Sequence, residues 1–163
     1  MPTCTPNLWF DHAGLEAAEF YAATIPNTRI TNVVMVPTGG RGEPDQPLVV
    51  DLEIDGRPFT FINGGPSYTL DEAFSIRLDC ADQVEADSFW DALLADGGEP
   101  GQCGWLKDRF GVSWQVVPGG LIELLTDPDP VRSSAANQAM FAMQRLDLDE
   151  MRAAVERAVA AGS

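Results

Sequence analysis

The sequence holds one histidine, His12, and one lysine, Lys107, among 163 residues. A single imidazole excludes every site that needs two histidines from the same chain. Basic residues are scarce, 10 against 25 acidic, and the formal net charge is −15. That balance repels phosphate at long range and supplies no basic footprint, so no nucleic-acid partner is expected. The cysteines, Cys4, Cys80 and Cys103, are odd in number and widely spaced. They make neither a disulfide framework nor a zinc knuckle. No apolar run approaches the roughly 20 residues that span a bilayer, and no basic signal region opens the chain. The expectation is a cytoplasmic protein with no membrane partner.

What remains is ordinary for a globular chain: 45% hydrophobic and 21% charged residues, with length for one domain or two small repeated modules sharing a core. A degenerate internal repeat is the most informative feature. The first copy opens on Asn7-Leu8-Trp9-Phe10, continues through a helical stretch ending in Phe20-Tyr21, and closes on residues 55–65, ending Asn63-Gly64-Gly65. The second opens on residues 74–78, carries Phe89-Trp90 in its helix, and closes on residues 108–120, ending Pro118-Gly119-Gly120. Phe20 to Phe89 is 69 positions but Gly64 to Gly119 only 55, so the second copy is 14 residues shorter after its helix. That is about one strand and a turn, so strand six should be vestigial or its adjoining loop lost.

Within each copy the hydrophobic period switches between helix and strand. Leu15, Ala17, Ala18, Phe20, Tyr21 and Ala22 follow Asp11, a plausible helix N-cap. Residues 28–36 are rich in β-branched side chains and stop at Pro37, which predicts a strand. Residues 37–47 read as a loop. Leu48, Val50, Leu52 and Ile54 alternate with Val49, Asp51 and Glu53, the pattern of a half-buried strand. Asp82 to Ala95 predicts an amphipathic helix with Val84, Phe89, Trp90, Leu93 and Leu94 on its apolar side, stopped by Gly97-Gly98. The order strand, helix, strand, strand, strand is written twice. Beyond it, Leu121–Leu125 is compatible with a short strand, and residues 133–143 and 147–161 read as helices, with Asp147 and Glu150 as a capping pair. These helices should cover a sheet face or a dimer partner.

Leu8-Trp9-Phe10-Asp11, Glu19-Phe20-Tyr21, Asn63-Gly64-Gly65-Pro66, Glu72-Ala73-Phe74-Ser75, Trp90, Cys103-Gly104-Trp105-Leu106-Lys107-Asp108 and Phe110-Gly111-Val112-Ser113-Trp114-Gln115 resemble, in that order, the PhnB-like family. That family is often labelled "3-demethylubiquinone 3-methyltransferase-like" and lies within the glyoxalase, bleomycin-resistance and dioxygenase (vicinal oxygen chelate) superfamily. The likeness runs from about residue 5 to residue 155. It implies an α+β fold: two βαβββ modules forming a curved mixed sheet around a cavity, plus C-terminal helices, usually in a homodimer. The expected divisions are 1–66, 67–126 and 127–163 within one structural domain. The methyltransferase label does not follow from the residues. The commonest S-adenosylmethionine fold needs a glycine-rich strand-to-helix turn, and no G-x-G stretch stands between a strand and a helix here.

With helices on the convex side, alternation turns one set of side chains toward the hollow. These are Asn7 and Trp9 on strand one, Thr60 and Ile62 on strand four, and Ser75, Arg77 and Asp79 on strand five. Ser113, Gln115 and Val117 follow on the last strand, while Asp51 and Glu53 face either inward or into solvent. The resemblance implies a metal-ligating glutamate at the position held by Gln115, with Thr60 its pseudo-symmetric partner and Ser75 where a histidine would stand. Four neutral groups, Asn7, Thr60, Ser75 and Gln115, are weak ligands for hard or borderline cations. No cofactor is expected, a weakly held divalent metal staying open. Arg77 could hold a carboxylate or phosphate, or pair with Asp79, Asp51 or Glu53.

Other candidates have plainer readings. His12 is either a base or ligand, or an exposed residue at the mouth of the first helix, which is favoured. Cys103 is either a nucleophile beside Lys107 or a small buried hydrophobe, again favoured. Cys4 and Cys80 read as structural. Trp90 and Trp114 read as packing; Trp9 and Trp105 remain to stack on a planar ligand. Gly64-Gly65-Pro66 and Gly119-Gly120 are turns rather than phosphate cradles. The expected ligand-binding set is Asn7, Trp9, Thr60, Ile62, Ser75, Arg77, Trp105, Ser113 and Gln115, with no catalytic residue assigned. The first functional reading is a protein binding a small apolar or aromatic molecule. A metal-assisted lyase, isomerase or dioxygenase is second, and a dimeric scaffold third.

Overall fold

A computed structural model describes residues 4–40 and 44–162. The chain separates into two compact units, the first ending at Asp71 and the second starting at Glu72. The first contains β1 (Asn7–Phe10), α1 (Gly14–Thr24), β2 (Arg29–Met35), β3 (Pro47–Ile54) and β4 (Arg57–Asn63). The second repeats the order as β5 (Ile76–Asp79), α2 (Gln83–Leu94), β6 (Glu99–Pro100), β7 (Trp105–Lys107) and β8 (Ser113–Val117). It continues into α3 (Leu121–Leu125), α4 (Pro130–Phe141) and α5 (Leu148–Ala161). The twice-written βαβββ order is therefore present, and β6 is reduced to two residues, the first of the two outcomes that the 14-residue shortfall left open.

Each module builds its own four-stranded mixed sheet, ordered β1-β4-β3-β2 and β5-β8-β7-β6. The first and last strands of each module run parallel and form the sheet's centre and edge; the rest are antiparallel. Period-2 alternation sets the faces. Leu8, Phe10, Val50, Leu52, Phe59 and Phe61 are buried in the first module with Ala17, Ala18 and Tyr21 of α1. In the second, Leu106, Trp114 and Val116 are buried with Ala86, Trp90 and Leu93 of α2. The small alanines on α1 let the helix lie close to the sheet, and the Tyr21 ring meets Phe61 edge-on at 5.9 Å.

Several expectations need correction. Asp11 does not cap α1. The residue before the helix is Ala13, with no side-chain cap of its own, and the Gly14 N–H is accepted by Asn63 Oδ1 at 2.8 Å. A side chain at position 14 would meet that oxygen at 2.7 Å, which explains the glycine. Leu121–Leu125 is a helix, not a strand: Gly120 takes a left-handed φ of 100° and turns the chain straight into it. β5 begins at Ile76, two residues later than expected, and Phe74 is exposed. Val84 is 78% exposed, so it lies off the apolar face of α2. The fourth helix starts three residues early, at Pro130, because Asp129 accepts the Val131 N–H and Pro suits a first helical position. Cys4 is exposed rather than packed, whereas Cys80 is buried. Residues 41–43 of the expected 37–47 loop lie outside the described residues.

The terminal helices form a small core of their own, from Leu121, Ala136, Met143, Leu146, Leu148, Met151 and Val155. Asp147 caps α5 by accepting the Asp149 and Glu150 N–H groups, both at 2.9 Å. Gln83 at the start of α2 ties this layer down: its amide donates to Leu146 O at 2.8 Å and accepts from the Leu148 N–H at 3.0 Å.

Candidate functional site

In the first module the helix-free sheet face carries Asn7, Trp9, Thr60 and Ile62, with cross-strand rows Asn7–Thr60–Asp51–Asn32 and Trp9–Ile62–Val49. Thr60 Oγ1 donates to Asp51 Oδ1 at 2.7 Å, and Asn32 Nδ2 donates to Asp51 Oδ2 at 3.2 Å. Both oxygens of the one half-buried carboxylate in this row are therefore engaged. Trp9 is half-buried and held on three sides. Its Nε1 donates to Gly65 O at 2.8 Å, and Tyr68 stacks edge-on at 5.0 Å. Gly64 lies so close that a Cβ there would strike the indole. The Gly64-Gly65 turn thus serves the tryptophan, and Asn63 beside it links two strands and a helix, its Nδ2 donating to Pro47 O at 2.9 Å.

In the second module the matching face carries Ser75, Arg77, Trp105, Ser113 and Gln115. Arg77, Gln115 and Trp105 form one cross-strand row, and Ser113 stands opposite Lys107. Gln115 Nε2 donates to Ser75 Oγ at 2.8 Å. Arg77 makes a two-pronged pair with Asp79 at 2.8 and 2.9 Å, which raises its pKa further and selects one of the pairings left open by the sequence. Lys107 pairs with Glu72 at 2.6 Å, and that bond holds the Glu72 carboxyl below its ordinary range. Ser113 is 2% exposed, and its Oγ is the one buried side-chain polar atom among the described residues without a hydrogen-bond partner.

On the other side of β8, Trp114 is fully buried and its Nε1 donates to Asp108 Oδ2 at 2.8 Å. Asp108 Oδ1 accepts the Phe110 and Val112 N–H groups at 2.9 and 3.0 Å. Sequence reasoning passed over Asp108 and Asn63, and left Asp51 facing either inward or into solvent. The first had a usable signal, since Asp ahead of a Phe-Gly turn is an Asx-turn pattern. Asn63 acts through partners distant in sequence, Gly14 and Pro47, and no local pattern marks it. His12 is 86% exposed beside Asp11, in keeping with the plainer reading. Cys103 is half-buried, with φ of +58°. The Cys80 thiol is pushed up to about 11, chiefly by burial.

The donor set does not fit a divalent metal. Asn7, Thr60, Ser75 and Gln115 are neutral, the Gln115 amide is directed sideways into Ser75, and both Asp51 oxygens are engaged. Among the described residues, no three His, Cys, Asp or Glu side chains are grouped to hold an ion. Gly119 is required because a Cβ there would strike Ala81 O at 2.2 Å, a packing reason unrelated to a nucleotide.

Two βαβββ modules, each with its own four-stranded mixed sheet, give the vicinal-oxygen-chelate type of fold. The family model described as 3-demethylubiquinone-9 3-methyltransferase matches residues 2–117, and the chain belongs to this PhnB-like family. Among solved structures, the PhnB protein from Bacillus cereus is 24% identical, with a TM-score of 0.65 over 71% of this chain and 98% of that one. Protein PA1353 from Pseudomonas aeruginosa is 24% identical, with a TM-score of 0.53 over 70% and 95%. Both show the fold. No curated protein matches the chain. The family match stops at Val117, well short of residue 155, so α3–α5 lie beyond it. No helix among the described residues is long and apolar enough to cross a membrane.

Proposed function

We propose that the chain binds a small apolar or aromatic molecule against the sheet faces that carry Trp9 and Trp105, without a tightly held metal, and that the methyltransferase label is not literal. The observation that carries this reading is the hydrogen bond from Gln115 Nε2 to Ser75 Oγ at 2.8 Å. At the position where the family resemblance implies a ligating carboxylate, an amide is turned toward a neighbouring hydroxyl. Half-buried Trp9 and Trp105 on the same faces offer planar surface to an aromatic ligand. The wider expectations, a homodimer in the cytoplasm with module divisions near residues 66 and 126, belong to the same proposal.

Native mass spectrometry of the purified protein, followed by an unbiased ligand screen, should show a small organic molecule bound. Elemental analysis of the same sample should find less than about 0.1 divalent metal per chain, since catalytic sites are normally well occupied. Stoichiometric metal would replace this reading with the metal-assisted lyase, isomerase or dioxygenase. Light scattering reads the oligomeric state directly.

A further inference from the structure

We infer that α4 and α5 form the interface between two copies of this chain, with Phe141 of each copy filling a groove on the other. This rests on the proposed homodimer and names its contact surface. Each helix carries a second seam, outside the one that builds the terminal core. On α4, Val131, Ser134, Gln138 and Phe141 recur at i, i+3, i+7 and i+10; all four are exposed, Phe141 by 68%. On α5, Glu150, Ala154, Arg157 and Ala161 recur at i, i+4, i+7 and i+11. None of these eight side chains belongs to the terminal core. Such spacing is what one helical layer presents to another.

Arg132 Nη1 donates to Glu156 Oε1 at 3.2 Å, and Pro130 and Val131 line a groove together with Ala158. The start of α4 therefore lies beside the end of α5, and the two helices run antiparallel. Their groove encloses about 380 Å³; Ser134, Ala135 and Gln138 complete its lining, which holds no charged side chain. Phe141 projects from the same stripe one turn beyond Gln138, a knob next to its own socket. Knob and socket on one surface meet twice across a two-fold axis, the requirement for a closed pair. The charges obey the same operation. Glu150 and Arg157 are exposed, and neither side chain has a partner among the described residues. Phe141 to Ser134 and Glu150 to Arg157 are both seven positions, about 10 Å along a helix. The axis that brings Phe141 into the groove of the other copy thus brings Glu150 to the other copy's Arg157. Copies of net charge −15 repel elsewhere, and α4 has no acidic residue. An uncharged groove offers nothing to a basic partner, but it suits an identical neutral stripe. Helices of 12 and 14 residues present a face about 20 Å on a side. That is a small interface, so the dimer should dissociate at micromolar concentrations.

Sedimentation velocity of the full chain from roughly 1 to 500 µM should show a monomer–dimer equilibrium. Phe141→Ser should raise the dissociation constant at least about tenfold, as truncating a central aromatic anchor does. Thermal melts confirm that each variant is folded, which the exposure of Phe141 favours. Glu150→Arg and Arg157→Glu each set like charges face to face twice across the axis, and each should raise the constant about tenfold. The two substitutions combined should return it to within about threefold of the wild type. A loss of helix stability would not produce that recovery, because both swaps oppose the α5 dipole and their folding costs add. A constant that Phe141→Ser leaves within about threefold, or a double swap no tighter than the single ones, overturns the inference and leaves the homodimer standing on another surface. A chain still monomeric at about 500 µM overturns the inference and the homodimer together, while ligand binding is judged by its own screen.

Discussion

Trp114 Nε1 donates to Asp108 Oδ2 at 2.8 Å across a turn of six residues, and both side chains are almost wholly buried. A carboxylate in a core is costly unless every oxygen is used, and here three N–H donors use them. Asp108→Ala strands those donors and should cost about 2–4 kcal/mol, lowering the melting temperature by roughly 5–12 °C. Asp108→Asn should also destabilise, because its NH₂ group faces the indole N–H, donor against donor. In a Trp114→Phe background the Asn substitution should cost about 1 kcal/mol less than in the wild type, measured by urea unfolding as a double-mutant cycle. Additive costs would show that the indole bond contributes nothing.

The Cys80 thiol is pushed from 9.0 up to about 11, first by burial and then by the nearby Glu85 and Asp79 charges. At pH 8 its thiolate fraction in the folded protein is therefore on the order of 0.1%. Iodoacetamide should label the exposed Cys4 while leaving Cys80 unmodified until the protein is unfolded, as read by peptide mass spectrometry. The linkage has a definite sign. Between pH 9.0 and about 11 the unfolded thiol loses its proton while the folded one keeps it, so stability falls as pH rises through that window. Cys80→Ala should abolish this component of the alkaline destabilisation.

Much of this fold is legible because its signals are local and periodic. The alternation of Leu8 and Phe10 with Asn7 and Trp9 sets the faces of β1, and of the two outcomes the 14-residue shortfall left open, a vestigial strand six or a lost loop, β6 shows the first with two residues. The expected site residues Gln115 and Ser75 do meet, although 40 positions apart, because the paired strands carry them into register. What was not legible depends on distant or ambiguous chemistry. Asn63 caps α1 from 49 residues away, so the nearby Asp11 was the natural but mistaken choice. Leu121–Leu125 is a short apolar run, which strand and buried helix share, and the left-handed Gly120 decides between them. The orphaned Ser113 hydroxyl is a property of packing that no spacing reveals.

Glu72 and Lys107 make an exposed pair whose effect is on protonation more than on stability. The Lys107 hydrogen bond is the largest cause holding the Glu72 carboxyl below 4.5. A depressed carboxylate favours the folded state above its unfolded pKa and loses that contribution as pH falls through the folded value. An NMR titration of the side-chain carboxyl should place its midpoint below 4.5 in the wild type. Lys107→Met should return it toward the ordinary range. An unmoved midpoint would show that the pair does not persist in solution.

The C-terminal helices lie beyond the family match yet are fastened to the strand that carries Trp105. Cys103 N–H donates to Met143 O at 2.8 Å and Gly104 N–H to Gln144 O at 2.7 Å, just before β7 begins. Gly104 has φ of +82°, and a Cβ there would approach Val116 O and Leu146 Cδ1, both at 2.8 Å. Backbone strain and collision therefore act together, and Gly104→Ala should destabilise the second unit by about 2–4 kcal/mol. Gln83→Ala removes the two bonds to Leu146 and Leu148 at the other end of the same segment, and should cost about 1–2 kcal/mol. Hydrogen exchange separates the local effect from a general loss of stability. In Gln83→Ala the amides of Cys103 and Gly104 should exchange faster than those of β3 and β4, because their acceptors sit on the loosened segment. Uniform acceleration across both sheets would mean the helices are not coupled to the Trp105 strand in particular.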